Sequence, residues 1–181
     1  MTRTALLIID MQQGLCEGEG AAFESAPVIA RLNRVATAMR ARHAPVFFIQ
    51  HESGPGYLER GTPAWELAKG LDATPNDERI RKTTPDSFLR TTLQDRLIAL
   101  GVTELIIGGM HSEFCMDTTT RRALALGYPV TLIADGHTSA GNDALTATQV
   151  IAHHNATLAN ITSFGPRVRP VTTEQLLAEL A

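Results

Sequence analysis

The 181-residue sequence contains few cysteines, few aromatic residues and no long hydrophobic run. Its two cysteines, Cys16 and Cys115, do not make a disulfide framework, and no C-x-x-C motif is present. No segment approaches the roughly 20 consecutive apolar residues of a membrane span. The apolar run near the start is short and is interrupted by Asp10, unlike a signal peptide. These absences predict a cytoplasmic protein with free thiols and no membrane partner.

The sequence also lacks a strong excess of charge of either sign. It has 16 basic and 19 acidic residues and a net charge of -3. Nothing in this balance attracts nucleic acid or an anionic membrane. A chain of this length with 44% hydrophobic residues can build one sizeable core, and it is too short for two ordinary domains. We therefore expect residues 1–181 to form a single domain.

Short apolar runs alternate with helical patterns along the chain. A helical face is indicated by apolar residues at offsets of three and four between Val28 and Met39. Continuous apolar strands are typical of a sheet that is covered on both faces. We predict an α/β fold: a single domain with a mostly parallel sheet flanked by helices on both faces, a Rossmann-like three-layer arrangement. The predicted strands are Ala5–Ile9, Val46–Gln50, Arg79–Arg81, Glu104–Ile107 and Val130–Ala134.

Several residues indicate where helices begin and end. Ser25 is a candidate N-cap for the helix that contains Val28. Gly101 and Gly127 follow leucine-rich helical stretches, and glycine suits the left-handed conformation after a helix. Thr172–Gln175 forms a capping-box pattern before a final short helix at Leu176–Leu180.

Three reactive side chains follow predicted strands. In parallel sheets, ligands bind beyond the carboxyl ends of the strands, and Asp10, Lys82 and Cys115 fall at such ends. Taken singly, each has an ordinary interpretation: Asp10 as a turn residue, Lys82 as a solvated surface lysine and Cys115 as a small core residue.

Residues 51–64 are predicted to form one long loop, and long loops in compact domains are often functional.

Cys115 lies in the segment GGMHSEFC, where a strand turns into a helix. The positive end of a helix dipole favours a thiolate, which is the nucleophilic form of cysteine. Backbone N–H groups in such a turn also point towards a developing oxyanion. This position therefore suits nucleophilic catalysis.

Taken together, these residues match a known family pattern. The matching segments are ALLIIDMQ, RKTTPDSF, LIALGVTELIIGGMHSEFCMDTTTRRALALGY and PVTLIADGHTS. The sequence resembles the isochorismatase-like cysteine hydrolases, which include nicotinamidases and carbamoyl-amide hydrolases. The resemblance implies a hydrolase that cleaves a carbon–nitrogen bond of a small molecule, and it implies a homodimer or homotetramer.

The resemblance also assigns roles. Cys115 is the expected nucleophile, Asp10 the general base and acid, and Lys82 the cation that completes the triad. A non-proline cis peptide is expected between Met110 and His111, with an oxyanion hole formed by the N–H groups of His111 and Cys115. Apolar and aromatic walls with a few polar groups suit a small amide. The expected substrate-binding residues are Gln12, His51, Tyr57, Trp65, Phe88 and Phe114.

We expect neither a metal ion nor another cofactor. Nicotinamidases carry an Asp-x-His metal site with a further histidine after the second strand, whereas FFIQHESGPGY has one histidine, His51. His51 is therefore interpreted as a pocket or structural residue. His153 and His154 are adjacent and would point to different sides of a helix, so they do not form a metal pair.

Three other functions are alternatives. Isochorismatases proper cleave a vinyl ether and lack the nucleophilic cysteine, so Cys115 argues against that reaction. A non-catalytic binding protein on the same fold has no need of Asp10, Lys82 and Cys115 together. A redox protein would need Cys16 as the resolving cysteine, but the acidic neighbours of Cys16 are expected to raise its pKa.

Overall fold

The central sheet of the computed structural model, which describes residues 3–181, has six parallel strands in the order β3-β2-β1-β4-β5-β6. The predicted α/β fold with a parallel sheet is therefore confirmed. The strands are β1 Thr4–Ile9, β2 Val46–His51, β3 Glu78–Lys82, β4 Glu104–Met110, β5 Val130–Thr138 and β6 Val168–Val171. The helices are α1 Gln13–Cys16, α2 Ser25–Ala41, α3 Leu93–Ala99, α4 Asp117–Ala125, α5 Ala147–Ala159 and α6 Thr173–Leu180, and a π-helical turn spans Ser112–Met116.

Apolar residues of each central strand divide between the two faces of the sheet, as the period of two in a β-strand requires. In β1, Leu7 and Ile9 belong to a core shared with α3, α4 and α5, whereas Leu6 and Ile8 belong to a core shared with α2 and α6. Each face is therefore covered by helices, and the central strands β1, β2 and β4 are mostly apolar because neither side meets water.

Several predicted helix ends agree with the structure. Gly101 and Gly127 adopt positive φ angles of 66° and 94°, as expected after α3 and α4. At α6, the hydroxyl of Thr172 accepts from the N–H of Gln175 at 3.3 Å, and the side chain of Gln175 accepts from the N–H of Thr172 at 2.9 Å. The predicted capping box is therefore confirmed.

The predicted N-cap at Ser25 is wrong. Ser25 is already the first residue of α2, and Glu24 precedes it in the left-handed conformation with φ of 49°. The Ser25 hydroxyl instead donates to the carbonyl of Ala22 at 2.8 Å. The side chain thus closes the turn before the helix and does not cap its N–H groups.

The long loop extends beyond the predicted range, from Glu52 to Asp77. An antiparallel bridge between Gln12 and Leu67 ties it to the chain just after β1. Ala68 donates its N–H to Met11 at 2.8 Å, and Gln13 donates to Glu66 at 2.8 Å. The loop is thereby held over the end of β1.

None of the helices within residues 3–181 is long and apolar enough to span a membrane.

Candidate active site

The reversal of strand order places a crevice between β1 and β4. From β1 the chain proceeds outward to β2 and β3, and from β4 it proceeds in the opposite direction to β5 and β6. Ligands of open parallel sheets bind at such a switch point, beyond the carboxyl ends of the strands. Asp10 follows β1 directly, and the turn that carries Cys115 follows β4. The topology therefore brings these two side chains to the same crevice.

Glycine at the end of β4 allows this close approach. Gly109 has a φ of 129°, and a Cβ atom there would overlap the backbone of Ile9. A Cβ at Gly108 would lie 2.6 Å from Leu32 and 2.8 Å from the carbonyl oxygen of Gly136. Because both positions are tightly packed, the Gly-Gly pair lets β4 lie against β1 and then turn into the segment that holds Cys115.

Asp10, Lys82 and Cys115 meet in the crevice. The ammonium of Lys82 donates to Asp10 Oδ2 at 2.7 Å and to Cys115 Sγ at 3.1 Å. Asp10 and Lys82 are almost fully buried, at 1% and 2% exposure, and Cys115 is 9% exposed. Asp10 adopts a left-handed backbone with φ of 54°, a strained conformation that proteins retain mainly at functional sites.

The Lys82 ammonium lies among four acceptors. Besides Asp10 and Cys115, it reaches the Thr84 carbonyl at 3.2 Å and His51 Nδ1 at 3.3 Å. A buried ammonium is costly unless it is paired and hydrogen-bonded, and this arrangement supplies both. Its position between a carboxylate and a thiol suits it to stabilise negative charge on either group.

Asp10, His51 and Cys115 are also candidate metal ligands. Ligand atoms of Asp10, His51 and Cys115 lie within 4.8 Å of one another, a spacing that a metal ion can bridge. However, Lys82 Nζ contacts all three of these groups at distances from 2.7 to 3.3 Å. The space that such an ion needs is occupied by the ammonium, so these residues do not fit a metal centre.

Residues 4–165 match the family described as the Isochorismatase domain. The chain belongs to the isochorismatase family. The resemblance seen in the sequence segments around Asp10, Lys82 and Cys115 is thus confirmed.

Relatives within this family include named hydrolases. A streptothricin hydrolase from Streptomyces noursei is 38% identical over 134 residues, covering 74% of this chain and 49% of the relative. The ureidoacrylate amidohydrolase RutB from Methylobacterium radiotolerans is 30% identical over 198 residues, covering 89% of this chain and 74% of the relative. This isochorismatase-family chain spans about half the length of the streptothricin hydrolases it matches.

A solved structure described as an isochorismatase family protein has the same fold. It superposes with a TM-score of 0.85 at 36% sequence identity, covering 93% of this chain and 98% of the other. The superposition therefore extends over both sheet faces and the crevice between β1 and β4.

The pKa of the Cys115 thiol is raised in this structure. Burial, followed by the negative charge of Asp10, raises the pKa of Cys115 to about 12, and the nearby Lys82 ammonium opposes this rise. The sequence-based expectation that a helix start favours a thiolate is therefore wrong. Cys115 lies within the π-helical turn before α4, and desolvation outweighs any benefit from the helix dipole.

The turn before Cys115 contains the expected cis peptide between Met110 and His111. Burial lowers the pKa of His111, which favours the neutral imidazole, although Glu113 and Asp10 oppose this shift. The ring of Phe114 lies edge-on to that of His111, with centroids 6.4 Å apart. Phe114 itself is 58% exposed, so it lies at the rim of the crevice.

The other predicted pocket residues differ in their surroundings. Gln12 is buried and uses its whole amide: it donates to the carbonyls of His51 and Trp65 and accepts from the N–H of His51 at 2.8 Å. Gln12 therefore fixes the backbone of the long loop. Phe88 is buried in the core, with its ring stacked on Tyr128 at 6.2 Å.

Tyr57 lies closer to the reacting groups. Burial raises the pKa of its phenol, and electrostatic repulsion from Asp10, and from Cys115 when its thiol is ionised, adds to this rise. Because Tyr57 is also 59% exposed, it lies between these side chains and solvent. Tyr57, His51 and Phe114 are therefore the predicted pocket residues that the structure places around Asp10, Lys82 and Cys115.

A concave region also lies along β3. This region, of about 770 Å³, includes Arg79, Arg81 and Trp65 in its lining. Arg79 and Arg81 alternate along β3 with Ile80 and Lys82, and the Arg79 guanidinium lies 5.2 Å from the ring of Phe48, on the α2 face of the sheet. Lys82 also lines this region, whereas Asp10 and Cys115 do not.

Proposed function

We propose that this chain is a cysteine-dependent hydrolase that cleaves an amide or ureide carbon–nitrogen bond of a small molecule. The observation that carries the proposal is the buried contact of Lys82 with both Asp10 and Cys115. The names of the streptothricin hydrolase and the ureidoacrylate amidohydrolase support the reaction class. We also propose that the protein acts in the cytoplasm as a homodimer or homotetramer, without a metal or other cofactor.

The first step is attack by the Cys115 sulfur on the substrate carbonyl carbon. Because the thiol is neutral at rest, its proton must leave as the carbon–sulfur bond forms. Asp10 is the nearby base: its Oδ1 atom is buried and has no hydrogen-bond partner among the described residues. Lys82 stabilises the negative charge as it moves from the carboxylate to the sulfur, and the N–H groups of His111 and Cys115 hold the oxyanion.

The second half of the reaction returns the enzyme to its starting state. Protonated Asp10 donates its proton to the leaving nitrogen, the carbon–nitrogen bond breaks, and ammonia or an amine departs. A thioester remains on Cys115. Asp10, again a carboxylate, takes a proton from water as the oxygen adds to the thioester. The carbon–sulfur bond then breaks, the acid leaves, and Asp10 returns its proton to the Cys115 sulfur.

Replacement of Cys115 tests this proposal. We expect Cys115→Ala and Cys115→Ser to lower ammonia release from a panel of primary amides and ureides by at least about 10³-fold, since neither side chain forms the thioester. Circular dichroism should show that both variants remain folded. Cys16→Ala is the matched control because it removes the other thiol, and it should keep the parent activity.

Two outcomes would contradict the proposal. One is turnover by Cys115→Ala within about tenfold of the parent, which would place the chemistry on another group. The other is a parent activity that is lost with a chelator and restored by a metal ion. We expect the same rate with and without EDTA because Lys82 fills the space among the three available ligands.

A further inference from the structure

Two side-chain contacts fasten the turn that carries Cys115 to the end of β5. Ser112 Oγ lies 2.7 Å from His137 Nδ1, and Ser139 Oγ donates to Glu113 Oε1 at 2.7 Å. Ser112, His137 and Ser139 are almost fully buried. The first contact is three residues before the nucleophile, within the same π-helical turn.

An irregularity in β5 brings His137 to this position. Ile107 of β4 pairs with Leu132, whereas Gly109 pairs with His137, so one residue of β4 faces four residues of β5 between these pairs. The additional residues form a bulge, which re-aims the side chains that follow it. Because of the bulge, His137 and Thr138 lie beside Gly109 and Met110, directly before the turn.

The hydrogen bonds around His137 favour one tautomer. The side-chain N–H of Asn155 donates to the carbonyl of Ala134 at 2.9 Å, which leaves Asn155 Oδ1 facing His137 Nε2 at 3.1 Å. An oxygen at that point requires a proton on Nε2. In the neutral ring, Nδ1 is then an acceptor, and the Ser112 hydroxyl donates to it.

The charges around His137 are compatible with this neutral form. Burial lowers its pKa most strongly, and the neighbouring His154 lowers it further. The hydrogen bond to Asn155 and the negative charges of Asp135 and Glu113 act in the opposite direction. The Ser112 hydroxyl also lies 3.1 Å from the carbonyl oxygen of Thr138, so His137 Nδ1 is the shorter of two contacts that hold the Ser112 side chain in one orientation.

We propose that His137 is a positioning residue that acts through Ser112 to orient Cys115 and the N–H groups of the proposed oxyanion hole. The chain of contacts runs from Asn155 on α5, through His137 on β5, to the turn after β4. Nucleophilic attack requires the sulfur and the oxyanion donors to be placed within a fraction of an ångström. The catalytic part of this inference rests on the proposed hydrolase activity.

The test compares variants at both ends of the Ser112–His137 hydrogen bond, in a Cys16→Ala background so that alkylation reports on Cys115. Ser112→Ala removes the donor, and His137→Leu removes the imidazole acceptor while the Thr138 carbonyl remains. His137→Asn retains an acceptor for the Ser112 hydroxyl. Ser25→Ala is the matched control because it removes a buried hydroxyl that bonds to Ala22 and has no recorded contact with the turn.

We expect Ser112→Ala and His137→Leu to lower kcat about ten- to hundredfold with KM changed by less than about twofold, since positioning acts on the transition state. The rate of Cys115 alkylation by iodoacetamide should change by at least about threefold. His137→Asn should recover most of the activity lost in His137→Leu. Ser25→Ala should lower thermal stability without changing either readout.

The proposal is overturned if Ser112→Ala is folded and both readouts stay within about twofold of the parent. It is also overturned if His137→Asn and His137→Leu lose the same activity, or if Ser25→Ala produces the same change in alkylation. The alkylation measurement needs no substrate. If the parent hydrolyses no amide or ureide, the hydrolase proposal fails, and alkylation still decides whether His137 positions Cys115.

Discussion

Cys115 and Asp10 illustrate how one carboxylate can act on a thiol in two opposite ways. The negative charge of Asp10 is the second largest cause of the raised pKa of Cys115, after burial. It therefore suppresses the thiolate in the resting protein. In the proposed reaction, the same carboxylate accepts the thiol proton, so it favours formation of the carbon–sulfur bond.

This dual role predicts opposite shifts in the thiol pKa. Lys82→Met removes the cation that lowers the pKa of Cys115, so the pH midpoint of Cys115 alkylation should rise. Asp10→Asn removes a charge that raises this pKa, so the midpoint should fall and alkylation at neutral pH should become faster. Both variants should nevertheless lose turnover by about 10²-fold or more, because each lacks a group that the proposed reaction uses.

The measurement is the rate of iodoacetamide modification of Cys115 at pH values from 6 to 11, followed by mass spectrometry, with Cys16→Ala as the common background. Below the midpoint this rate follows the thiolate fraction, so a slower rate indicates a raised midpoint and a faster rate a lowered one. Lys69→Met is the control for loss of a lysine, since Lys69 pairs with Glu17 at the surface. A fall in both alkylation midpoints, or full turnover by Asp10→Asn, would contradict the assigned roles.

At the scale of secondary structure, the end of β4 determines where the nucleophile lies. Gly108 and Gly109 pair with Ile8 and Ile9 of β1, respectively, at the centre of the sheet. Any side chain at Gly109 meets the backbone of Ile9 and must adopt a φ of 129°, which residues other than glycine avoid. The close packing of β1 and β4 thus depends on the absence of two side chains.

We predict that Gly109→Ala lowers the free energy of unfolding by at least about 2 kcal/mol, because the new methyl group combines steric overlap with an unfavourable φ. Urea denaturation followed by circular dichroism measures this change. Gly20→Ala is the control, since Gly20 has no described atom within 4 Å of an added Cβ and no positive φ. Equal unfolding midpoints for the two variants would show that β4 can shift without cost.

The central strands of the sheet could be predicted from the sequence, whereas the edge strand β6 and helix α5 could not. Strands β1, β2 and β4 were predictable because each is apolar on both faces. Strand β6 was not predicted, since exposed Arg169 and half-buried Pro170 separate its two buried valines. Helix α5 was not predicted either, because Val150 and Leu158 are its only two buried residues among the thirteen described there, and they form no continuous apolar stripe.

In the candidate site, too, some residues could be predicted from the sequence and others could not. Asp10, Lys82 and Cys115 could be predicted because strand ends and family motifs mark them independently. The Ser112–His137 contact could not, because it depends on the β5 bulge, which shifts the pairing of His137 relative to the preceding residues. Phe88 and Gln12 were read as pocket residues from their chemistry, but their burial and partners depend on tertiary packing that a linear pattern does not contain.

Over the whole molecule, buried titratable groups define the pH range of stability. Burial lowers the pKa values of His51, His111 and His137. It raises those of Cys16 and Cys115 to about 11 and about 12. For Cys16, the predicted rise is confirmed, with burial as the larger cause and Glu17 as a smaller one. In every case, the folded protein favours the neutral form.

We therefore predict a free energy of unfolding that is highest between about pH 6.5 and 8.5. Below about pH 6.5, the unfolded chain binds protons that the buried histidines exclude, so stability falls as the pH decreases towards their folded pKa values. Above about pH 8.5, unfolded thiols ionise while the buried thiols stay protonated, so stability falls as the pH rises. Each group that is charged in the unfolded chain and neutral in the folded protein changes the free energy of unfolding by up to about 1.4 kcal/mol per pH unit. His51 contributes less because it is only partly buried.

Urea unfolding at intervals from pH 5 to 10.5 measures both sides of this curve. Cys16→Ala removes one ionising thiol, so its alkaline slope should be shallower by up to about 1.4 kcal/mol per pH unit, whereas its acidic slope should match the parent. The Cys16 change is informative because Cys16 lies outside the proposed catalytic residues, so stability is separated from activity. An alkaline slope equal to that of the parent would mean that Cys16 ionises as readily in the folded protein as in the unfolded chain.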